Sequence, residues 1–243
     1  MFILIIQNFC IKVIYKKIFF KKDMHKSIEN LLKINNNVKL KLKKINFIKH
    51  PKIIAVSKTF KLDHIKPLID HGHVDFGENK VQEAKEKWTN VKSSFKNLQL
   101  HMIGKLQKNK VKDVVPLFDY IHSLDSLGLA EKISNEQKKT GKSLKIFIQV
   151  NIGDEQQKSG IKKENLKDFY EKCVNDLKLN IIGLMCIPPL NSESKFYFNE
   201  MTKLNNSIGL TDLSMGMSSD YLDAIDCGAT FIRIGSNIFG KRS

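Results

Sequence analysis

Short apolar segments alternate with longer amphipathic segments along most of this chain, and this alternation restricts the folds it can adopt. Apolar strands that alternate with helices are typical of a parallel sheet whose two faces are both covered. Eight such strand–helix units predict an α/β fold, a single-domain (β/α)8 TIM barrel. An open doubly wound sheet is the alternative, although no GxGxxG motif follows the first strand to support its dinucleotide-binding form. We expect the strands at residues 53–57, 74–76, 99–103, 120–123, 145–150, 181–185, 213–215 and 231–234.

Apolar residues between these strands recur with helical spacing, so a helix is expected after each strand. One more helix is expected before the first strand, over residues 26–48, with the three asparagines at 35–37 as a candidate break. The helices that follow the strands are expected near residues 63–70, 81–91, 105–115, 126–139, 164–176, 194–208 and 219–227, and from Ser236.

Residues 1–25 are predicted to be an N-terminal extension, and residues 26–243 are predicted to form the barrel. The apolar stretch at residues 1–9 is too short to span a bilayer, and it lacks the basic region and small-residue cleavage site of a signal peptide. We expect an extension that function does not need, with Met24 as a candidate start of the protein. An amphipathic membrane-surface anchor is the functional alternative.

The formal net charge of +16 raises the hypothesis of a nucleic-acid-binding protein. Of the 41 basic residues, however, only Arg233 and Arg242 are arginine, which nucleic-acid surfaces favour for phosphate and base contacts. We therefore expect a lysine-rich solvated surface and no nucleic-acid partner. The four cysteines form no CxxC pair and no zinc-site spacing, which favours a reducing compartment such as the cytoplasm.

Lys58 lies at the end of the first predicted strand, on the same face as Ile54 and Val56, because strand side chains alternate. If that face lines the barrel, partial desolvation should lower the pKa of the Lys58 amine and increase the fraction of free amine. A free amine attacks an aldehyde to form a Schiff base. The alternative is a lysine that extends from the strand end into water.

The loops after the last two strands bring small residues to the starts of helices. Met217 and Ser218 follow the seventh strand, and Gly235 and Ser236 follow the eighth. Open backbone N–H groups and hydroxyls at helix starts bind phosphate, and these two loops form the usual phosphate site of a TIM barrel. The alternative is that Ser218, Ser219 and Ser236 are ordinary N-caps.

Arg233 lies within the eighth predicted strand, and a buried arginine requires an acceptor. The ring nitrogen of a bound cofactor is one candidate, and a structural carboxylate such as Asp75 or Glu78 is the alternative. A Schiff-base lysine and a phosphate site at the same barrel opening together specify an aldehyde phosphate. Pyridoxal 5′-phosphate (PLP) fits that description.

Several motifs at the predicted strand ends form a specific set. They are Ala55-Val56-Ser57-Lys58-Thr59, Phe76-Gly77-Glu78-Asn79, Ile103-Gly104, His122-Ser123, Lys158-Ser159-Gly160, Gly183-Leu184-Met185, Met215-Gly216-Met217-Ser218 and Arg233-Ile234-Gly235. With these motifs the chain resembles the YggS/PROSC family, the pyridoxal phosphate homeostasis proteins, from about residue 26 to the C-terminus. The resemblance implies a single-domain barrel like the N-terminal domain of alanine racemase.

The resemblance also implies which residues bind the cofactor. Lys58 would carry PLP as a Schiff base, and Arg233 would face the pyridine nitrogen. Lys158 matches a second lysine that the family uses in cofactor handling. The other predicted cofactor-binding residues are Ser218, Gly235 and Ser236 at the phosphate, Asn79 and Met185 at the ring, and Met217 beside Ser218.

The function implied by the resemblance is intracellular PLP homeostasis without catalysis, in which the reactive aldehyde is masked. An arginine against the pyridine nitrogen disfavours ring protonation, which makes PLP a weak electron sink. A weakly active PLP-dependent amino-acid racemase is the alternative, and its second acid/base would be Tyr120, Tyr197 or Tyr221. The expected partners are PLP and PLP-dependent apoenzymes, and we expect a monomer with no metal and no membrane partner.

Overall fold

In the computed structural model, which describes residues 24–45 and 50–240, eight parallel strands close into a barrel in sequence order. The first strand pairs with the eighth and completes the ring. This closure confirms the predicted (β/α)8 TIM barrel and excludes the open doubly wound sheet. The strands are β1 (Lys52–Val56), β2 (Asp75–Glu78), β3 (Gln99–Met102), β4 (Tyr120–Leu124), β5 (Lys145–Gln149), β6 (Ile181–Met185), β7 (Asp212–Ser214) and β8 (Phe231–Ile234).

One α-helix precedes β1 in the described part of the chain, and one follows each strand. None of these described helices is both long enough and apolar enough to cross a membrane. The helices are α1 (Lys26–Lys44), α2 (Leu62–Asp70), α3 (Val81–Ser94), α4 (Val111–Leu117), α5 (Leu127–Thr140), α6 (Leu166–Glu171), α7 (Ser194–Ser207), α8 (Tyr221–Asp226) and α9 (Ser236–Phe239).

Helix α1 is continuous, so the break considered at residues 35–37 is wrong. Its buried side chains recur every three or four residues and pack on the barrel. The asparagines do not interrupt this stripe, because Ile34 and Val38 on either side of them are both buried. Asn37 donates from Nδ2 to the Tyr221 hydroxyl in α8 at 3.1 Å, and this contact also holds the helix in place.

Two predicted helices are less regular than their periodicity indicates. The helix expected near 105–115 begins as a 3₁₀ turn at Lys108–Lys110 and continues as α4, with Pro116 in its last turn. The segment expected at 164–176 consists of a 3₁₀ turn, the short α6 and a π-helical turn at Lys172–Asp176. A hydrophobic pattern predicts which face is buried, but it does not resolve these changes in hydrogen-bond spacing.

Some predictions fall on residues outside the described part of the chain, namely 1–23, 46–49 and 241–243. The predicted extension at residues 1–25 lies almost entirely among them, and so does the end of the helix expected over 26–48. Both stay predictions.

Side chains of β1 alternate between the two sides of the barrel wall, as expected. Ile54 and Val56 belong to the cluster inside the barrel, which also contains Tyr120, Phe147, Met185 and Phe231. Ile53 and Ala55 instead join the larger core between the strands and the surrounding helices. Two separate apolar layers therefore stabilise the wall, and the inner layer lies beneath the C-terminal opening.

The register between β1 and β8 determines which residues meet at that opening. Ile54 pairs with Arg233, and Ala55 pairs with Ile234. The segment after Val56 and the segment after Ile234 therefore leave the barrel side by side. This places Lys58 near Gly235 and Ser236, although they are far apart in the sequence.

The inner aromatic layer should account for a large part of the stability. Phe147 is fully buried, and its ring lies 4.4 Å from that of His122 and 5.0 Å from that of Phe231. We expect Phe147→Ala to lower the free energy of unfolding by about 3–5 kcal/mol, because the barrel cannot collapse around the cavity. Urea denaturation measures this loss. The control is Phe196→Ala, at a side chain that is 59% exposed, and it should change the free energy of unfolding by less than about 0.5 kcal/mol. Equal losses in the two variants would contradict the stabilising role of the inner aromatic layer.

Candidate functional site

A cavity of about 570 Å³ opens at the C-terminal ends of the strands. Seven of the eight residues predicted to bind a cofactor line it, and the exception is Met185. Met185 is buried in the inner cluster together with Val56, which does line the cavity. The lining residues are Val56, Lys58, Phe60, Asn79, Ile103, Ile187, Met217, Ser218, Ser219, Arg233, Gly235, Ser236 and Gly240.

Lys58 lies in a tight turn directly after β1. The amide of Phe60 donates to the carbonyl of Ser57 at 3.2 Å, which closes the turn around Lys58 and Thr59. Thr59 has a φ of 69°, a left-handed conformation that is unusual for a β-branched residue. Such a conformation costs on the order of 1–3 kcal/mol and persists only where neighbouring groups enforce it.

A buried network of charged side chains holds this turn. Glu78 accepts from the Ser57 hydroxyl at 2.7 Å and from Lys87 Nζ at 2.9 Å. Lys87 also donates to the Ser57 carbonyl at 2.9 Å and to Glu83 at 3.0 Å. Glu83 in turn accepts from the Thr59 amide at 2.5 Å. Both neighbours of Lys58 are therefore anchored, and this fixes the direction in which its side chain leaves the backbone.

Glu83 and Lys87 support the site but are not among the residues predicted from the sequence. Their spacing of four residues on one helix was the available signal, because it predicts an ion pair. Nothing in the sequence indicated that this pair packs against the turn after β1. That contact follows from the pairing of β1 with β2, which places Val56 beside Gly77.

A glycine allows another part of the lining to approach closely. A Cβ atom on Gly104, after β3, would lie 2.3 Å from the carbonyl oxygen of Asn79, after β2. Only glycine fits at this distance. The loop that carries Asn79 therefore rests directly on the neighbouring backbone, and Asn79 lines the cavity from there.

The loops after β7 and β8 meet at one side of the cavity. The amide of Asn237 donates to Ser218 Oγ at 3.4 Å, and its side chain donates to the Ser218 carbonyl at 2.8 Å. The N-cap residues of α8 and α9 are Asp220 and Gly235, and neither forms a side-chain capping bond. The serines considered as ordinary N-caps are therefore not the caps of these helices. Their hydroxyls and the nearby N–H groups are donors that can reach an anion in the cavity. Any such contact depends on these local donors, because both helices are too short for a strong dipole.

Arg233 is buried at the base of the cavity. It donates from Nη1 to Ser214 Oγ at 2.7 Å and from Nη2 to the Cys186 carbonyl at 2.9 Å. Neither Asp75 nor Glu78, the carboxylates considered as its partners, contacts it directly. Among the described residues it forms no ion pair, and burial lowers its pKa below the ordinary value. A buried cation held only by neutral acceptors is suited to face a further acceptor on a ligand.

Several other predicted residues lie away from the cavity. Lys158 pairs with Glu155 and donates to the Pro188 carbonyl at 3.0 Å, and it is not a lining residue. Tyr120 lies inside the barrel with its hydroxyl near Lys52. The other two candidate acid/bases, Tyr197 and Tyr221, also do not line the cavity.

The lining therefore has a restricted chemistry. Lys58 supplies a primary amine, Arg233 supplies a guanidinium, and the two loops supply hydroxyls and backbone N–H groups. Among the described residues, no carboxylate, imidazole, phenol or thiol lines the cavity. Such a site can bind a carbonyl and an anion, but Lys58 is its single candidate base.

Comparisons with known proteins give consistent results. Residues 30–243 match the family model described as "Alanine racemase, N-terminal domain". The chain is 38% identical over 200 residues to a protein of Aquifex aeolicus (strain VF5) named "Pyridoxal phosphate homeostasis protein", covering 79% of this chain and 87% of that one. A protein of the same name from Haemophilus influenzae is 39% identical over 203 residues, covering 79% and 85%.

Solved structures agree with the observed fold. PipY of Synechococcus elongatus PCC7942, solved with PLP bound, aligns with a TM-score of 0.73 at 33% identity, over 84% of this chain and all of that one. Alanine racemase from Corynebacterium glutamicum aligns with a TM-score of 0.62 at 14% identity, over 83% of this chain and 59% of the racemase, which shows a shared fold alone. The chain belongs to the family of pyridoxal phosphate homeostasis proteins, whose barrel is that of the alanine racemase N-terminal domain.

Proposed function

We propose that this protein binds PLP as a Schiff base on Lys58 and acts in PLP homeostasis as a carrier without catalytic turnover. The observation that carries the proposal is the convergence of an amine, a buried guanidinium and two hydroxyl-bearing loops on one cavity. These donors match the aldehyde, the pyridine nitrogen and the phosphate of PLP. The names of the relatives and the PLP-bound PipY structure support the same ligand.

Each group of residues has a separate role in this proposal. The anchored turn presents Lys58 to the aldehyde carbon, and Phe60 and Ile103 keep that side of the cavity apolar. Ser218, Ser236 and the amide of Gly235 bind the phosphate. Asn79 and Met217 line the ring, and Met185 supports it from the inner cluster.

Two features favour a carrier over a racemase. Racemisation needs an acid/base on each face of the substrate, and Lys58 is the single candidate base among the described lining residues. Arg233 also disfavours protonation of the pyridine nitrogen, because two positive charges would then be adjacent. When bound, PLP supplies an electron sink, and the arginine weakens it. The relatives are named as homeostasis proteins, and the racemases are distant in sequence.

We further propose that PLP-dependent apoenzymes receive the cofactor from this protein, which acts as a monomer in the cytoplasm. The cavity opens at the C-terminal ends of the strands, and this position favours direct transfer to a partner. The cysteine spacing in the sequence, which contains no CxxC pair and no zinc-site pattern, supports a reducing compartment. We also propose that residues 1–25 are not needed for PLP binding. Lys158, which donates to the carbonyls of Ile187 and Pro188 beside the cavity, takes part in cofactor handling.

Replacement of the proposed Schiff-base lysine tests the function directly. Addition of PLP to the purified protein should produce a Schiff-base absorption band that differs from the spectrum of free PLP, and Lys58→Ala should abolish this band, because no amine remains in the cavity. Titration with PLP, followed by absorption, measures both proteins.

The matched control is Lys61→Ala, three residues further along, at an exposed lysine that does not line the cavity. It should leave the band and the affinity unchanged. A Lys58→Ala protein that is folded by circular dichroism and keeps the band would contradict the proposal. Turnover of D- or L-alanine that depends on Lys58 would instead support the racemase.

The phosphate contacts predict a preference for the phosphorylated cofactor. We expect pyridoxal, which lacks the phosphate, to bind at least about 100-fold more weakly than PLP, since several charge-assisted hydrogen bonds are lost. The double variant Ser218→Ala/Ser236→Ala should reduce this preference by about tenfold or more. Equilibrium dialysis with both compounds measures the ratio, and an unchanged ratio in the double variant would show that the phosphate binds elsewhere.

A further inference from the structure

A chain of hydrogen-bonded side chains crosses the barrel interior and ends at Arg233. Asp75 Oδ1 lies 3.0 Å from His101 Nε2, and His101 Nδ1 lies 3.0 Å from His122 Nε2. His122 Nδ1 lies 2.8 Å from Ser214 Oγ, which accepts from Arg233 Nη1 at 2.7 Å. The five residues come from β2, β3, β4, β7 and β8, so the chain connects opposite sides of the barrel wall.

The donors and acceptors of this chain allow one arrangement of protons when both histidines are neutral. The Asp75 carboxylate only accepts, so His101 carries its proton on Nε2 and accepts at Nδ1. His122 must then donate from Nε2 and accept at Nδ1, which receives the Ser214 hydroxyl proton. Ser214 Oγ remains free to accept from Arg233. All four hydrogen bonds therefore run in the same direction, from the cation to the carboxylate.

The surroundings of the two histidines favour their neutral forms. His101 stacks on Tyr120 with ring centroids 4.2 Å apart, and His122 stacks on Phe147 at 4.4 Å. Both rings are fully buried, and desolvation lowers the pKa of His101 and lowers that of His122 well below its usual value. In a dry aromatic interior, aligned hydrogen bonds polarise one another.

The far end of the hydrogen-bonded chain is a carboxylate, and Asp220 is a second carboxylate that acts on Arg233 through space. Burial acts to raise the pKa of Asp75, but the hydrogen bond from His101 and the nearby Lys52 outweigh it and hold the pKa below its ordinary value. Lys52 Nζ lies 3.6 Å from Asp75 Oδ1, and its side chain is 44% exposed, so water screens part of its charge. Asp75 is the one carboxylate linked to Arg233 through described side chains.

We propose that Asp75, His101, His122 and Ser214 are positioning residues for Arg233. They make Ser214 Oγ a strong, correctly oriented acceptor that fixes the guanidinium at the base of the cavity. The guanidinium has five N–H groups, of which the bonds to Ser214 and to the Cys186 carbonyl use two. The others are available to a ligand ring. The identity of that ring rests on the proposed function, whereas the proton arrangement within the chain does not.

The first test needs no ligand. Nitrogen-15 NMR of the imidazole groups at pH 7 reports the tautomer and charge of each buried histidine. We expect both His101 and His122 to be neutral with the proton on Nε2, and His122→Gln identifies the His122 signals. A protonated ring, or a proton on Nδ1 of either histidine, would overturn the proposal.

The second test measures what the chain does for the ligand. Ser214→Ala removes the acceptor of Arg233, and we expect PLP to bind about tenfold more weakly with a shifted absorption maximum. Asp75→Asn removes the distant charge and should weaken PLP binding about threefold, although Asp75 does not line the cavity.

Ser134→Ala is the matched control. Ser134 is 2% exposed and its hydroxyl donates to the Leu177 carbonyl at 2.7 Å, so this change also deletes a buried serine hydrogen bond but lies outside the chain. It should lower stability yet leave the PLP affinity and the absorption maximum unchanged. If wild type binds PLP while Ser214→Ala and Asp75→Asn both match it within twofold, the positioning role is wrong. If wild type does not bind PLP at all, the proposed function fails, and the NMR result alone decides the proton arrangement.

Discussion

The pairing of β1 with β8 is the contact on which the rest of the site depends. It closes the barrel and sets Ile54 beside Arg233, so the turn that carries Lys58 and the loop that carries Ser236 leave the wall together. Without this register the Lys58 amine would lie apart from the Arg233 guanidinium and the serine hydroxyls. The inner aromatic layer stabilises the same closure from within, because Phe231 of β8 packs against Phe147 across the interior.

The site combines two groups that are costly to hold in place. Lys58 is flanked by a left-handed Thr59, and the network around Glu78 and Lys87 keeps that turn in position. Arg233 is a buried cation without a direct ion pair among the described residues, and it is held by Ser214 and a carbonyl. Arrangements of this kind are found where function requires them rather than where stability alone is optimised. Both features are explained if a ligand with an aldehyde and a ring acceptor completes the cavity.

Much of this structure was predictable from the sequence, because strand and helix periodicities differ and each strand end is marked by polar residues. Seven of the eight predicted binding residues line one cavity, since the carboxyl ends of parallel strands meet at one end of a barrel. The supporting residues Glu83 and Lys87 were not predictable, because their contacts depend on how a helix packs against a turn. The hydrogen-bonded series through His101 and His122 was not predicted, although strand alternation indicates that both side chains point inward. No local sequence pattern indicates which inward residues meet across the barrel interior.

The measurement that tests the central claim most directly is borohydride reduction of the PLP-loaded protein followed by peptide mapping with mass spectrometry. Reduction converts a Schiff base into a stable amine, so the label marks the lysine that carries PLP. We predict one phosphopyridoxyl group per chain, on the peptide that contains Lys58. A label on Lys158 or on surface lysines with Lys58 unmodified would contradict the account.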